Sequence, residues 1–270
     1  MTRARFTTPD GVTLTYECTG SGPAVLWQHG LGAGFDQPRA VFPDLPVTRL
    51  TLACRGHEDS DLGPPEDLSI ATFAGDALAL LDHLGIPRLA AAGGISLGAA
   101  IALRLAADRP DRVARLILAR PAWLDRPAPG GLAAYAEAGR HLALHGATEG
   151  EARFHETDIF RAIEAASPDN AASLRGFFTR PRPETTTALL ARLPRDGPGV
   201  AIPLIERIAR PTLVIGNGED VAHPLAYAET LARLIPGARL AVIPSKSADP
   251  AAYAPAFRAA LGAFLADAVP

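Results

Sequence analysis

At 270 residues, with a net charge of −3 and a pI near 6.2, the chain carries no basic stripe for nucleic acid and no surplus charge that would draw it to a membrane surface. No apolar run is long enough to span a bilayer, and the N-terminal MTRARFTTPDG lacks the apolar centre of an export leader, so the expectation is a soluble, cytoplasmic protein with neither a membrane nor a nucleic-acid partner. Cys18 and Cys54 are too few for a disulfide framework or a cysteine zinc cage, and no His/Asp/Glu cluster has metal-ligand spacing, so no cofactor or metal is expected.

Residues 3–7 and 12–18 read as a hairpin around Pro9-Asp10-Gly11, because Asp-Gly favours a tight turn. Residues 24–28 and 49–53 are continuous apolar runs of strand length, as buried parallel strands require. Over 70–84 the apolar side chains recur at helical spacing, with Ser69 as N-cap and Gly85 and Pro87 as the stop. A short strand at 89–92, an Ala/Leu-rich helix at 97–108 and a buried strand at 115–119 follow. After Trp123 the character changes: about 124–205 shows helical patches, scattered Pro and Gly, and no convincing strand. Strands resume at 212–215 and 239–243, with helices at 224–234 and 253–266. The alternation predicts an α/β fold with a mostly parallel central sheet covered on both faces. Residues 1–123 and 206–270 would form that core, and 124–205 a helical cap over the strands' carboxyl ends, where open α/β sheets bind ligands.

Gly94-Ile95-Ser96-Leu97-Gly98 lies between a predicted strand and a predicted helix. A serine on so tight a turn needs small neighbours on both sides; its hydroxyl is then pushed above the sheet, beside the free N–H groups of a helix N-terminus. With this motif in place the chain resembles the α/β-hydrolase fold superfamily over nearly its whole length. His29-Gly30 after a buried strand is similar to the superfamily's oxyanion-loop motif, which implies the Leu31 and Leu97 N–H groups as the two oxyanion donors. Arg55-Gly56-His57 resembles a further motif, with Glu58 where glycine is usual. Gly216-Asn217-Gly218-Glu219-Asp220 looks like the acid loop, with Asp220 on the acid position, Glu219 and Asp125 being the alternatives.

The resemblance implies a histidine in the loop after the last strand, some seven residues before the proline near the start of the final helix. Counted back from Pro255, that position holds Ala248, and no histidine follows His223. A serine nucleophile needs a base to take its proton and an acid for the leaving group. Two candidates stand out. His223 lies three residues beyond Asp220, and Lys246, the only lysine among 26 basic residues, lies in the loop expected to deliver the histidine. A lysine there serves either as a base or as a clamp on a substrate carboxylate. Tyr253 and the histidines of the helical segment, His141, His145 and His155, are weaker candidates.

His29, Gly30, Trp123, Phe154 and Phe177 are expected to form the substrate wall, with Phe160, Ile163 and Phe178 as further apolar residues of the cap. The expected activity is that of a serine hydrolase on a small, apolar ester, lactone or related carbonyl compound, using Ser96, Asp220 and a non-standard base. Two other uses of the same pocket stay open: non-hydrolytic chemistry (epimerase, cyclase or lyase) through an enolate, and ligand binding without catalysis.

Overall fold

Gly11 takes a φ of +88° and the Thr8 N–H reaches the Val12 carbonyl at 2.9 Å, so the Asp-Gly pair reverses the chain between β1 (Thr2–Thr7) and β2 (Thr13–Gly20). This hairpin forms one edge of an eight-stranded sheet in the computed structural model, which describes residues 2–266. The other strands are β3 (Ala24–Gln28), β4 (Thr48–Leu52), β5 (Ala91–Ile95), β6 (Leu116–Ala119), β7 (Thr212–Gly216) and β8 (Arg239–Val242). Their order is β1-β2-β4-β3-β5-β6-β7-β8; β1–β2 and β2–β4 pair antiparallel, and every pair from β4–β3 to β7–β8 is parallel.

The helices in chain order are α1 (Asp36–Val41), α2 (Ile70–His83), α3 (Leu97–Asp108), α4 (Ala133–His155), α5 (Asp158–Ala166), α6 (Pro168–Gly176), α7 (Pro183–Arg192), α8 (Ile202–Ile205), α9 (Leu225–Leu234) and α10 (Pro250–Ala266). Ser69 caps α2 by accepting the Thr72 N–H at 3.0 Å, and α10 starts three residues earlier than its apolar pattern suggests because Pro250 suits a first helical position. On one face of the sheet, Val25, Trp27, Ile117 and Ile215 pack against Phe257 and Leu261 of α10. On the other, Leu26, Ala92 and Leu118 pack against α2, α3 and α9, and the same apolar core continues into the helices between β6 and β7. The chain therefore has an α/β architecture, a mostly parallel sheet with helices on both faces. Among the described residues the stretch between β6 and β7 holds α4 to α8 and no strand, and α4 is kinked at Gly146, where φ is +73°.

The strand expected at 89–92 is displaced. Leu89 makes only an isolated bridge to Val113, and the strand runs on through Gly93 and Gly94. Glycine has poor strand propensity, but here the neighbours leave no room for more: a Cβ on Gly93 would stand 2.7 Å from the Ile117 Cβ and 2.9 Å from the Trp27 ring. That extension carries the chain straight into the serine turn.

Candidate active site

Ser96 bridges β5 and α3 with φ +57° and ψ −110°, a strained conformation for any residue with a side chain. Its own N–H is tied to the Ala119 carbonyl at 2.9 Å, which fixes the turn to β6. A Cβ on Gly94 would lie 2.7 Å from the Gln28 carbonyl oxygen, and one on Gly98 2.5 Å from it, so the flanking glycines are what lets the bend close against β3. The consequence is a buried hydroxyl at the carboxyl end of the central strand.

The imidazole of His223 meets that hydroxyl. Its Nε2 lies 2.8 Å from Ser96 Oγ and its Nδ1 2.8 Å from Asp220 Oδ1. Because the carboxylate can only accept, Nδ1 carries the proton and Nε2 presents its lone pair to the serine hydroxyl. Asp220 and His223 sit on one turn between β7 and α9. The Asp220 carboxylate accepts the His223 backbone N–H at 3.1 Å, and this side-chain-to-backbone bond folds residues 220–223 so that both side chains point the same way. An aspartate three residues before a histidine, in a loop that leads into a helix, is the signal for this arrangement.

Asp220 is densely held. Arg120 donates to its Oδ2 through Nε at 2.8 Å, and Asn170 donates to Oδ1 at 3.0 Å. Burial pushes its carboxyl up, but the charge and hydrogen bond of His223, the Arg120 guanidinium and Asn170 outweigh it and hold the group well below the usual carboxylate range. Arg120 also meets Asp169 at 3.3 Å and the Tyr253 hydroxyl at 3.3 Å. Neither Arg120 nor Asn170 is among the sequence candidates; an arginine directly after a buried strand, which needs a carboxylate partner, is the only hint of the first.

The loop after β3 is held by neutral partners at Gly30 and Gly32 N–H and by charged ones farther out. Gly30 N–H donates to Gln37 Oε1 at 2.7 Å and Gly32 N–H to His57 Nε2 at 3.0 Å, which among the described residues leaves the Leu31 N–H between them as the unengaged donor. Leu97, at the first position of α3, likewise has an N–H without a partner in its own helix. His29 does not line the cavity as expected. It is fully buried, with Nε2 accepting the Cys54 N–H at 3.1 Å and Nδ1 donating to the Gly30 carbonyl at 2.8 Å. Burial lowers its pKa to about 4, with the Gly30 hydrogen bond opposing and the Arg180 charge assisting, so the ring is neutral. Glu58 accepts the Phe35 N–H at 2.9 Å, and Arg180, reaching in from the segment before α7, donates to the Gly32 carbonyl.

A cavity of about 190 Å³ opens over Ser96 and His223. Of the residues expected to form the substrate wall, Gly30, Trp123 and Phe177 line it; Leu31, Arg120 and Lys246 also face it, and Leu132 and Tyr135 complete the apolar side. Phe154 does not. It is fully buried among Phe160, Phe178 and His155, because α4, α5 and the turn before α7 need an apolar centre of their own. Among the described residues Ser96 Oγ has one hydrogen-bond partner, His223. Lys246 Nζ lies 3.8 Å from Asp169 and 5.2 Å from the centre of the Tyr253 ring. At the position expected to hold a histidine, the Ala248 N–H donates to Ser245 Oγ at 2.9 Å, and Ser245 in turn donates to Glu219 Oε2 at 2.8 Å. Asp125 faces Arg126 at 4.0 Å, and His141 pairs with Glu137, so neither enters the site. No group of three or more potential metal-binding side chains exists among the described residues, and no described helix is long and apolar enough to cross a membrane.

Residues 23–247 match the family description "alpha/beta hydrolase fold". The chain is 30% identical over 249 residues to a 2-hydroxymuconate semialdehyde hydrolase of Pseudomonas sp., covering 86% of this chain and 82% of that protein. A 36% identical match to an uncharacterized protein of Mycobacterium tuberculosis extends over only 117 residues, so the chain spans about a third of that relative's length. The enol-lactonase from Burkholderia xenovorans LB400 superposes with a TM-score of 0.73 at 24% identity, over 97% of this chain and 100% of that one.

Proposed function

The chain belongs to the α/β-hydrolase fold family, a protein of hydrolase type, and on that premise we propose that it is a serine hydrolase acting on a small ester or lactone with an apolar body, its base supplied by the acid loop. One observation carries the reading: His223 contacts Ser96 Oγ and Asp220 Oδ1, each at 2.8 Å, the order nucleophile–base–orienting acid that acyl transfer requires. Ser96 Oγ attacks the substrate carbonyl as its proton passes to His223 Nε2. Asp220 holds the resulting imidazolium through Nδ1. The Leu31 and Leu97 N–H groups take the oxyanion, which is where such sites gain most of their rate. Collapse of the tetrahedral adduct expels the alcohol, which takes the proton from Nε2; water, activated by the same nitrogen, then releases the acid and restores the serine.

In this reading residues 124–205 act as the cap that supplies Trp123's neighbours Leu132, Tyr135 and Phe177 to the cavity wall and Asn170 to the acid. Ala248 needs no substitute, because the histidine comes from the neighbouring loop and Lys246 is relieved of proton transfer. The semialdehyde hydrolase named above supports hydrolytic over non-hydrolytic chemistry as the class of reaction.

The test is covalent labelling by a fluorophosphonate, located by peptide mapping, alongside turnover of 4-nitrophenyl esters. Ser96 takes the label in the wild-type chain, and His223→Ala slows ester turnover by about 10⁵- to 10⁶-fold while leaving the near-ultraviolet circular dichroism intact. A folded wild-type chain that neither takes the label nor cleaves any ester overturns the reading.

A further inference from the structure

Charge is distributed unevenly around the cavity. Two cationic side chains, Arg120 and Lys246, line it, and among the described residues no Asp or Glu does. The acids that balance them, Asp220 and Asp169, sit behind the wall. The two cations are not equivalent. Arg120 is buried and spends its guanidinium on Asp220 at 2.7 Å, Asp169 at 3.3 Å and the Tyr253 hydroxyl. Lys246 has one ionic partner among the described residues, Asp169 at 3.8 Å, already shared with Arg120; its side chain is 44% exposed.

The backbone around Lys246 is nevertheless fixed. Ser245 Oγ donates to Glu219, the Ala248 N–H donates to Ser245 Oγ, and Ser247 Oγ accepts the Asp169 N–H at 3.3 Å. A loop anchored on both sides of its one lysine holds the base of that side chain at the cavity wall and brings a half-exposed ammonium to its rim. The carboxylates behind the wall cancel against Arg120 and Lys246, so an arriving anion meets no net repulsion and a nearby ammonium whose only partner is loose.

We infer that Lys246 selects substrates bearing a free carboxylate: the natural ester or lactone ends, away from the scissile bond, in a carboxylate that pairs with the Lys246 ammonium. The inference rests on the serine-hydrolase reading and adds a charged end to its apolar substrate. A carboxylate fits better than a phosphate monoester, which carries nearly two charges and is ordinarily met by several donors, whereas this wall offers one ammonium and a cavity of about 190 Å³.

Two matched ester pairs test it, each corrected for enzyme-free hydrolysis. In the first, 4-nitrophenyl hydrogen adipate and 4-nitrophenyl hexanoate differ by a carboxylate on the acyl side. In the second, 4-(butanoyloxy)benzoate and its methyl ester differ by one on the leaving group. In at least one pair the acid is preferred about tenfold or more in kcat/KM, the ratio falls towards one in Lys246→Met, and Lys246→Arg restores most of it. Added salt erodes the ratio, as a partly exposed ion pair requires. A ratio at or below one in both pairs, or a preference that survives Lys246→Met, overturns the inference. If no ester is cleaved, the hydrolase reading fails on its own, and calorimetry on the Ser96→Ala chain still decides this one. Monomethyl adipate then binds about tenfold more tightly than dimethyl adipate, with the difference lost in the Ser96→Ala, Lys246→Met double variant; equal binding of the two esters overturns it.

Discussion

The two walls of the site are held by different physics. On the side proposed to hold the oxyanion, neutral groups engage the N–H groups beside Leu31, through Gln37 and His57, and buried, uncharged His29 ties the loop to β4's exit at Cys54, with the charged Arg180 and Glu58 gripping Gly32 and Phe35 from outside. On the proton-transfer side, charges do the positioning, with Arg120 and Asp220 at the centre, His223 and Asn170 on one carboxylate oxygen and Asp169 beyond. A stage for a developing oxyanion must not change its own charge as the reaction proceeds, whereas a stage for an imidazolium needs a fixed negative charge close by. In the proposed mechanism the Asp220 carboxylate supplies that fixed charge, and backbone N–H groups supply the oxyanion's donors.

Breaking the charged wall has the larger effect. Asp220→Asn leaves a neutral amide beside His223 and strips Arg120 of its closest carboxylate. We expect ester turnover to fall about 10⁴-fold, the loss seen when a triad acid is neutralised, and stability in urea to fall by roughly 3–5 kcal/mol, as when one member of a buried ion pair is removed. An activity loss with no stability loss would make Arg120 independent of the acid.

The neutral wall is sharpened by pH. His29 keeps a folded-state pKa of about 4 against an ordinary value of 6.5, so the unfolded chain takes up the proton first as the solution is acidified. Its contribution is complete above pH 6.5 and lost on the way down to about 4, roughly 3 kcal/mol in all. The Asp220 carboxyl, held below its ordinary value of 3.8, keeps its contribution until the pH drops below that value. Urea midpoints from pH 7.5 to 4.5 therefore decline with a slope that His29→Gln reduces, and a variant declining as steeply as the wild type would place the acid sensitivity elsewhere.

The smallest effect is expected at the join. Arg180 donates to the Gly32 carbonyl and, through Nε, to Thr186 at 3.0 Å, so it links the oxyanion loop to α7. Arg180→Lys keeps the charge but loses the fork; kcat should drop about tenfold with KM little changed, since only the aim of the Leu31 N–H is disturbed. A change in KM alone would assign Arg180 to substrate binding instead.

Much of the frame and one half of the site were legible in the residues. The hairpin at Asp10-Gly11, the apolar run at 24–28 and the serine between two glycines each follow from a local rule, and the structure has a strand, a turn or a helix where those rules put one. The other half was not. Arg120 looks like the end of a strand until its carboxylate partner arrives from residue 220, a hundred positions on, and Asn170 reaches the acid from the helical segment. His223 was visible only as one of several bases, because nothing in a linear string states which of them the fold carries to within hydrogen-bond reach of Ser96, 127 positions away. Phe154 misled for the same reason: helical spacing shows that a side chain is inside, not which of two apolar interiors it fills.

Housing the proposed acid and base on the same four residues alters how the site comes together. Their mutual placement is settled by a single short turn, so almost no loop-closure entropy is lost in joining them, and only the serine must be brought from far along the chain. If acid and base both come from that turn as proposed, the stretch from 243 to 249 has no proton to carry, and substitutions there can reshape the pocket's selectivity without touching its chemistry.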